Sequence, residues 1–124
     1  MLVKNVIIII RLLIMGKASD QKMQYIAHAI KKGQYRYTIH AAQQRIARAV
    51  KRKAVEQVLL TGEIIEDYPE HHYGQACLVM GKTEKGRVLH VLCSLKEELA
   101  IVTVYEPDLK KWEADLKTRR KVKL

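Results

Sequence analysis

The sequence predicts an α+β domain: N-terminal helices packed on one face of a four-stranded antiparallel β-meander, followed by a short C-terminal helix. Three observations predict it. Apolar residues recur at helical spacing from Ser19 to Leu60. Beyond Gly62 they bunch into short runs bounded by turn-forming residues, as strands do. The last two runs alternate so that one face of their hairpin is wholly apolar.

The first helix opens at Ser19 or Asp20, either of which can cap it. It carries Met23, Ile26, Ala27 and Ile30 at helical spacing, and Gly33 is a natural stop. Thr38 can cap a second helix, on which Ile39, Ala42, Ile46, Ala49 and Val50 form one apolar stripe. A third helix runs from about Arg52 to Leu60, with Val55, Val58 and Leu59 inward and Gly62 closing it. Strands then read from Glu63 to Tyr68, ending at Pro69, and over residues 75–80. Two more read over 87–95, after the turn-like stretch from Gly81 to Gly86, and over 99–105, ended by Glu106-Pro107-Asp108. Trp112 and Leu116, at i and i+4, suggest the short final helix.

The last hairpin allows a register to be counted. A two-residue turn at Glu97-Glu98 pairs Lys96 with Leu99, Leu95 with Ala100, Leu92 with Thr103 and His90 with Tyr105. One face then carries Val91, Cys93, Leu95, Ala100, Val102 and Val104, and should pack on the helices. The other carries His90, Leu92, Ser94, Ile101, Thr103 and Tyr105, and should be partly open. A three-residue loop would shift this register and break the His90–Tyr105 pair.

Length fits one domain, and the hydrophobic fraction of 48% is that of a folded chain. With no Phe and an aromatic fraction of 6%, the core must come from Val, Leu, Ile, Ala and Met. The formal net charge of +10 favours a polyanionic partner, most often nucleic acid; a solvated basic surface is the plain alternative. Part of the excess lies in residues 117–124, a basic C-terminal tail where Lys117, Arg119, Arg120, Lys121 and Lys123 have no acid among them. Cys77 and Cys93 lie in strand-like apolar runs and read as buried free thiols in a reducing cytoplasm.

Residues 1–18 form an uncertain apolar N-terminal segment ahead of a single domain over 19–116. The run from Val6 to Met15 is interrupted by Arg11 and is short for a membrane span. It can dock on the domain, associate with a membrane, or lie upstream of a true start at Met15 or Met23. The last is favoured, because the remaining pattern is complete without it.

Several segments together resemble the domain-of-unknown-function family 4258. Tyr35-Arg36-Tyr37-Thr38-Ile39-His40-Ala41 and Arg45-Ile46-Ala47-Arg48-Ala49-Val50 are similar to its helical signature. Gly62-Glu63-Ile64-Ile65-Glu66-Asp67-Tyr68-Pro69 is similar to its first strand. Leu78-Val79-Met80-Gly81, Leu89-His90-Val91 and the stretch from Ile101 to Asp108 complete the likeness, over about residues 24–112. Many relatives resemble an Arg pair where this chain has Gln44-Arg45. The family is similar in layout to the fold group of barnase, colicin ribonuclease domains and RelE-type toxins. That resemblance implies a metal-independent, toxin-like endoribonuclease and a small antitoxin-like protein partner.

Metal-independent RNA cleavage needs a base, an acid and a cation for the phosphate. Histidine suits the first two roles, and arginine the third. The candidates are His90 or His40 as acid and base, Arg45 and Arg48 for the phosphate, and Tyr105 and Thr103 as hydrogen-bonding support. Each has a structural alternative: His40 as a helix brace, the arginines as solvated side chains, and His90–Tyr105 as a cross-strand pair. A non-catalytic module that binds nucleic acid or protein is the competing function. His71-His72 with Cys77 or Cys93 is a poor zinc set, because the ligands are not paired at short spacing and the cysteines fall on the core face. No P-loop, dinucleotide fingerprint, catalytic carboxylate pair or nucleophile elbow is present, so no cofactor or metal is expected.

Overall fold

The computed structural model describes residues 19–71 and 74–121. The apolar segment 1–18, His72 and the end of the basic tail lie outside the described residues.

Helix α1 occupies residues 19–32 and buries Ile26, Ala29 and Ile30. Gly33 ends it at φ +67°, the left-handed conformation that costs glycine least. A short strand β1, Tyr35–Tyr37, follows. Helix α2, Ile39–Ala47, is capped by Thr38, whose Oγ1 accepts from the Ala41 N–H at 3.1 Å. Helix α3, Arg52–Thr61, buries Val55, Val58 and Leu59. The remaining strands are β2 Glu63–Tyr68, β3 Ala76–Lys82, β4 Val88–Ser94 and β5 Leu99–Tyr105.

These strands form one sheet in the order β1-β5-β4-β3-β2. The expected antiparallel meander is present as β2 to β5. It is extended by β1, which pairs in parallel with β5 and makes the sheet five-stranded and mixed. The strand was not expected because three residues leave too short a period to read.

One face of the sheet holds the core. Cys77, Val79, Leu89, Val91, Cys93, Leu99, Ile101 and Val104 pack there against the helices. Burying each aliphatic side chain of this size contributes about 1.5–3 kcal/mol. Gly62 and Gly81 let α3 approach the end of β3. A Cβ on Gly62 would meet the Met80 and Val58 carbonyl oxygens at 2.5 Å each.

Two expectations about α2 and β5 are corrected. Of the apolar stripe expected on α2, Val50 is buried just beyond the helix, but the isoleucines are not. Ile39 and Ile46 are 79% and 71% exposed, and Ala41 is the buried residue of the helix. The helix lies along β5 with Ala41 and Gln44 turned toward it. On β5, residues 96–98 form a three-residue loop, so Ser94 faces Ala100 and Cys93 faces Ile101. A bulge at Val102 then restores the pairing, and Leu92 faces Thr103 and His90 faces Tyr105. The longer loop and the bulge cancel. Ile101 therefore joins the main core cluster, whereas Ala100 and Val102 are buried outside it.

The expected C-terminal helix is absent from the described residues. Residues 109–121 instead form turns, with an isolated bridge between Trp112 and Arg119. Asp115 is the physical reason. Its carboxylate accepts from the Lys117 and Thr118 N–H groups at 2.9 and 3.0 Å and from the Thr118 hydroxyl at 2.8 Å, which favours a turn over a helix.

Candidate functional site

The charge of the molecule is concentrated where these elements meet. Residues 21–55 contain nine Lys and Arg and no Asp or Glu. Among the described residues, only Lys22 of these nine is in an ion pair, with Asp67 at 2.7 Å. The basic tail differs. Lys117 pairs with Glu63 at 2.6 Å, Arg119 with Glu66 at 2.8 Å and Arg120 with Glu113 at 3.1 Å. Among the described residues, α1, β1, α2 and the start of α3 thus carry a run of cations without ion pairs.

Within this stretch, β1 presents Tyr35 and Tyr37 on one face, because they are two residues apart on a strand. Their rings meet edge to face, with centroids 6.0 Å apart. The Arg52 guanidinium of α3 lies over both, at 5.9 and 5.5 Å, and that of Arg45 lies 5.5 Å from the Tyr37 ring. The Tyr35 hydroxyl donates to Glu56 at 2.6 Å and accepts from Arg52 at 3.4 Å. Burial, then the Glu56 carboxylate, raises the Tyr35 pKa. Burial pushes Tyr37 up to about 12. Two buried polar atoms in this cluster, the Tyr37 hydroxyl and Arg45 Nε, have no hydrogen-bond partner among the described residues. Arg45 otherwise donates from a terminal nitrogen to the Val50 carbonyl at 3.0 Å. A cleft of about 660 Å³ adjoins the cluster and shares Glu56; Lys51, Lys53 and Lys85 line it.

The second set of candidates lies on the other face of the sheet. His90 is fully buried. Its Nε2 donates to the Leu116 carbonyl at 2.6 Å, which leaves Nδ1 to accept from the Tyr105 hydroxyl at 3.0 Å in the neutral ring. Trp112 stands edge-on to it at 4.5 Å, and the Arg119 guanidinium lies 4.5 Å from the centre of the Trp112 ring. Burial lowers the His90 pKa and outweighs the carbonyl bond, which raises it. Burial pushes Tyr105 up to about 12. Burial also works against charge on Glu66, but its bonds from Arg119 and Tyr68 prevail and hold the carboxyl low. Residues 109–121 thus cover the end of the face that was expected to be partly open. Leu92 and Thr103 remain half-exposed there.

The predicted site residues divide accordingly. His90 and Tyr105 are hydrogen-bonded, and Thr103 lies on their face. His40, Arg45 and Arg48 are on or at the end of α2. His40 and Arg48 are exposed, and the His40 ring takes part in none of the hydrogen bonds among the described residues. No such bond links the two groups. Gln44 is also engaged: its Oε1 accepts from the Val104 N–H at 2.9 Å, where β5 runs past the end of β1. Tyr35, Tyr37 and Arg52 were missed as site residues. The acid-free stretch around them was the signal that could have found them. His71 has a partner, and the cysteines of the disfavoured zinc set are buried free thiols in the core. Among the described residues, no helix is long and apolar enough to cross a membrane.

A family model described as Domain of unknown function (DUF4258) matches residues 37–106, more than half of the chain, and the chain belongs to that family. No curated protein and no solved structure is a significant match to it.

Proposed function

Starting from this membership and the surface just described, we propose that the protein binds single-stranded RNA on the face built by β1, α2 and the start of α3. The observation that carries the reading is the Tyr35–Tyr37 pair with Arg45 and Arg52 against it, beside the acid-free residues 21–55; the one carboxylate at the cluster, Glu56, is held by the Tyr35 hydroxyl. Splayed bases stack on aromatic rings and on guanidinium planes alike, so an aromatic-arginine surface suits single strands. Lys51 and Lys53, on either side of Arg52 in the chain and lining the adjoining cleft, supply phosphate contacts without reading sequence.

The test is fluorescence anisotropy with a labelled single-stranded RNA in EDTA. Arg52→Ala should weaken binding by about tenfold, in keeping with about 1–3 kcal/mol for a stacking contact. Affinity should also fall with salt, at about 0.7 logarithmic units per phosphate neutralised. Equal binding by the variant, or binding indifferent to salt, would refute the reading.

Cleavage of the bound RNA is a second reading, favoured by the exposure of His40 in the first turn of α2, with Arg45 and Arg48 further along the chain. In it, His40 exchanges the proton and the arginines hold the phosphate. His90 can enter this chemistry only once the C-terminal segment lifts, because both its nitrogens are engaged. Metal-free cleavage leaving 2′,3′-cyclic ends, and lost in His40→Ala, would establish it; intact RNA would leave binding alone.

A further inference from the structure

We propose that the outward face of α2, centred on Ile39 and Ile46, is a docking surface for an acidic amphipathic helix of another protein. The two side chains are seven residues apart, so they lie on one line along the helix. They are 79% and 71% exposed, the two highest values among the exposed large hydrophobic residues described. Single exposed apolar residues are ordinary, but a line of them on one short helix is the pattern of a helix-binding face.

The opposite side of α2 is already used. Ala41 is in the core, Gln44 bonds the Val104 N–H and Arg45 bonds the Val50 carbonyl. The helix therefore cannot turn to bury Ile39 and Ile46 without losing those contacts.

Charge selects the occupant. The face lies within the acid-free stretch 21–55, with Arg36 near one end and Arg48 near the other. A second copy of the chain would bring the same unpaired cations against themselves, at +10 per chain. A helix with apolar residues at the same spacing and Glu or Asp beside them would bury the isoleucines and meet the cations together. The inference does not rest on RNA binding.

The test is selection of helical peptides from a display library of randomised amphipathic sequences, followed by affinity measurement with the purified protein. Selected peptides should be acidic beside their apolar positions and should bind less tightly as salt rises. They should lose about tenfold or more against an Ile39→Ser/Ile46→Ser variant, as for central apolar anchors. Both residues are exposed, so this variant should keep the wild-type circular dichroism; single substitutions provide a second series. Peptides that bind the double variant equally, or an absence of selected peptides, would overturn the proposal. So would self-association, or binding to anionic vesicles, that alone depends on the two isoleucines.

Discussion

Substituting Gln44 with leucine removes the acceptor of the Val104 N–H and leaves a side chain of similar length. The perturbation is local. Val104 lies in β5 beyond the three residues that β1 pairs, so no strand can replace the lost acceptor. Val104 itself is fully buried, and water reaches its amide poorly. An orphaned buried N–H costs about 1–3 kcal/mol. Gln44→Arg should cost as much, because arginine has no acceptor, whereas Gln44→Glu keeps one. The arginine variant restores the Arg pair that the family resemblance leads one to expect at Gln44-Arg45. Urea unfolding followed by circular dichroism measures the effect. With a slope of about 2 kcal/mol per molar, a loss of 2 kcal/mol lowers the midpoint by about 1 M. Leucine and arginine variants as stable as the wild type would refute the reasoning, as would an equal loss in the glutamate variant.

Three further predictions concern the rest of the fold. His90 is buried neutral, with its pKa below the ordinary 6.5, so the unfolded chain takes up the proton first as pH falls. Its contribution is complete above about pH 6.5 and is lost as pH falls toward the folded value; urea midpoints should drop over that range, and less steeply in His90→Gln. Trp112→Ala should cost about 3–5 kcal/mol and open His90 to exchange with solvent; a loss below about 1 kcal/mol would mean that the C-terminal cover does not seal that face. Burial pushes Cys77 up to about 12 and raises Cys93 well above the ordinary thiol value, so neither thiol should react with a disulfide reagent at pH 8 until urea unfolds the chain. Rapid labelling of the native protein would contradict the core described here.

Much of the framework was legible from local pattern. Thr38, Gly33 and Gly62 marked helix ends, and β2 and β5 fell where the apolar runs predicted. What escaped depends on contacts distant in sequence. Three residues of β1 carry no period, and their partner lies in β5. The register showed how one non-local feature offsets another, since the bulge at Val102 restored a His90–Tyr105 pair that the loop alone would have broken. Ile39 and Ile46 read as core because periodicity finds an apolar face but not the direction in which it points. Trp112 and Leu116 had helical spacing, but Asp115 between them captured the local N–H groups. At the candidate site, His40, Arg45, Arg48, His90, Thr103 and Tyr105 were chosen by residue chemistry. The placement of α2 against β5, and of residues 109–121 over His90, then divided them.

The most direct test is ultraviolet cross-linking of a single-stranded RNA to the wild-type protein, with the attached residues located by mass spectrometry. The account predicts cross-links at Tyr35 and Tyr37, with flanking ones on α2 and the start of α3. Cross-links confined to the half-buried sheet face at Leu92 and Thr103, or to the ion-paired Lys117, Arg119 and Arg120, would contradict it.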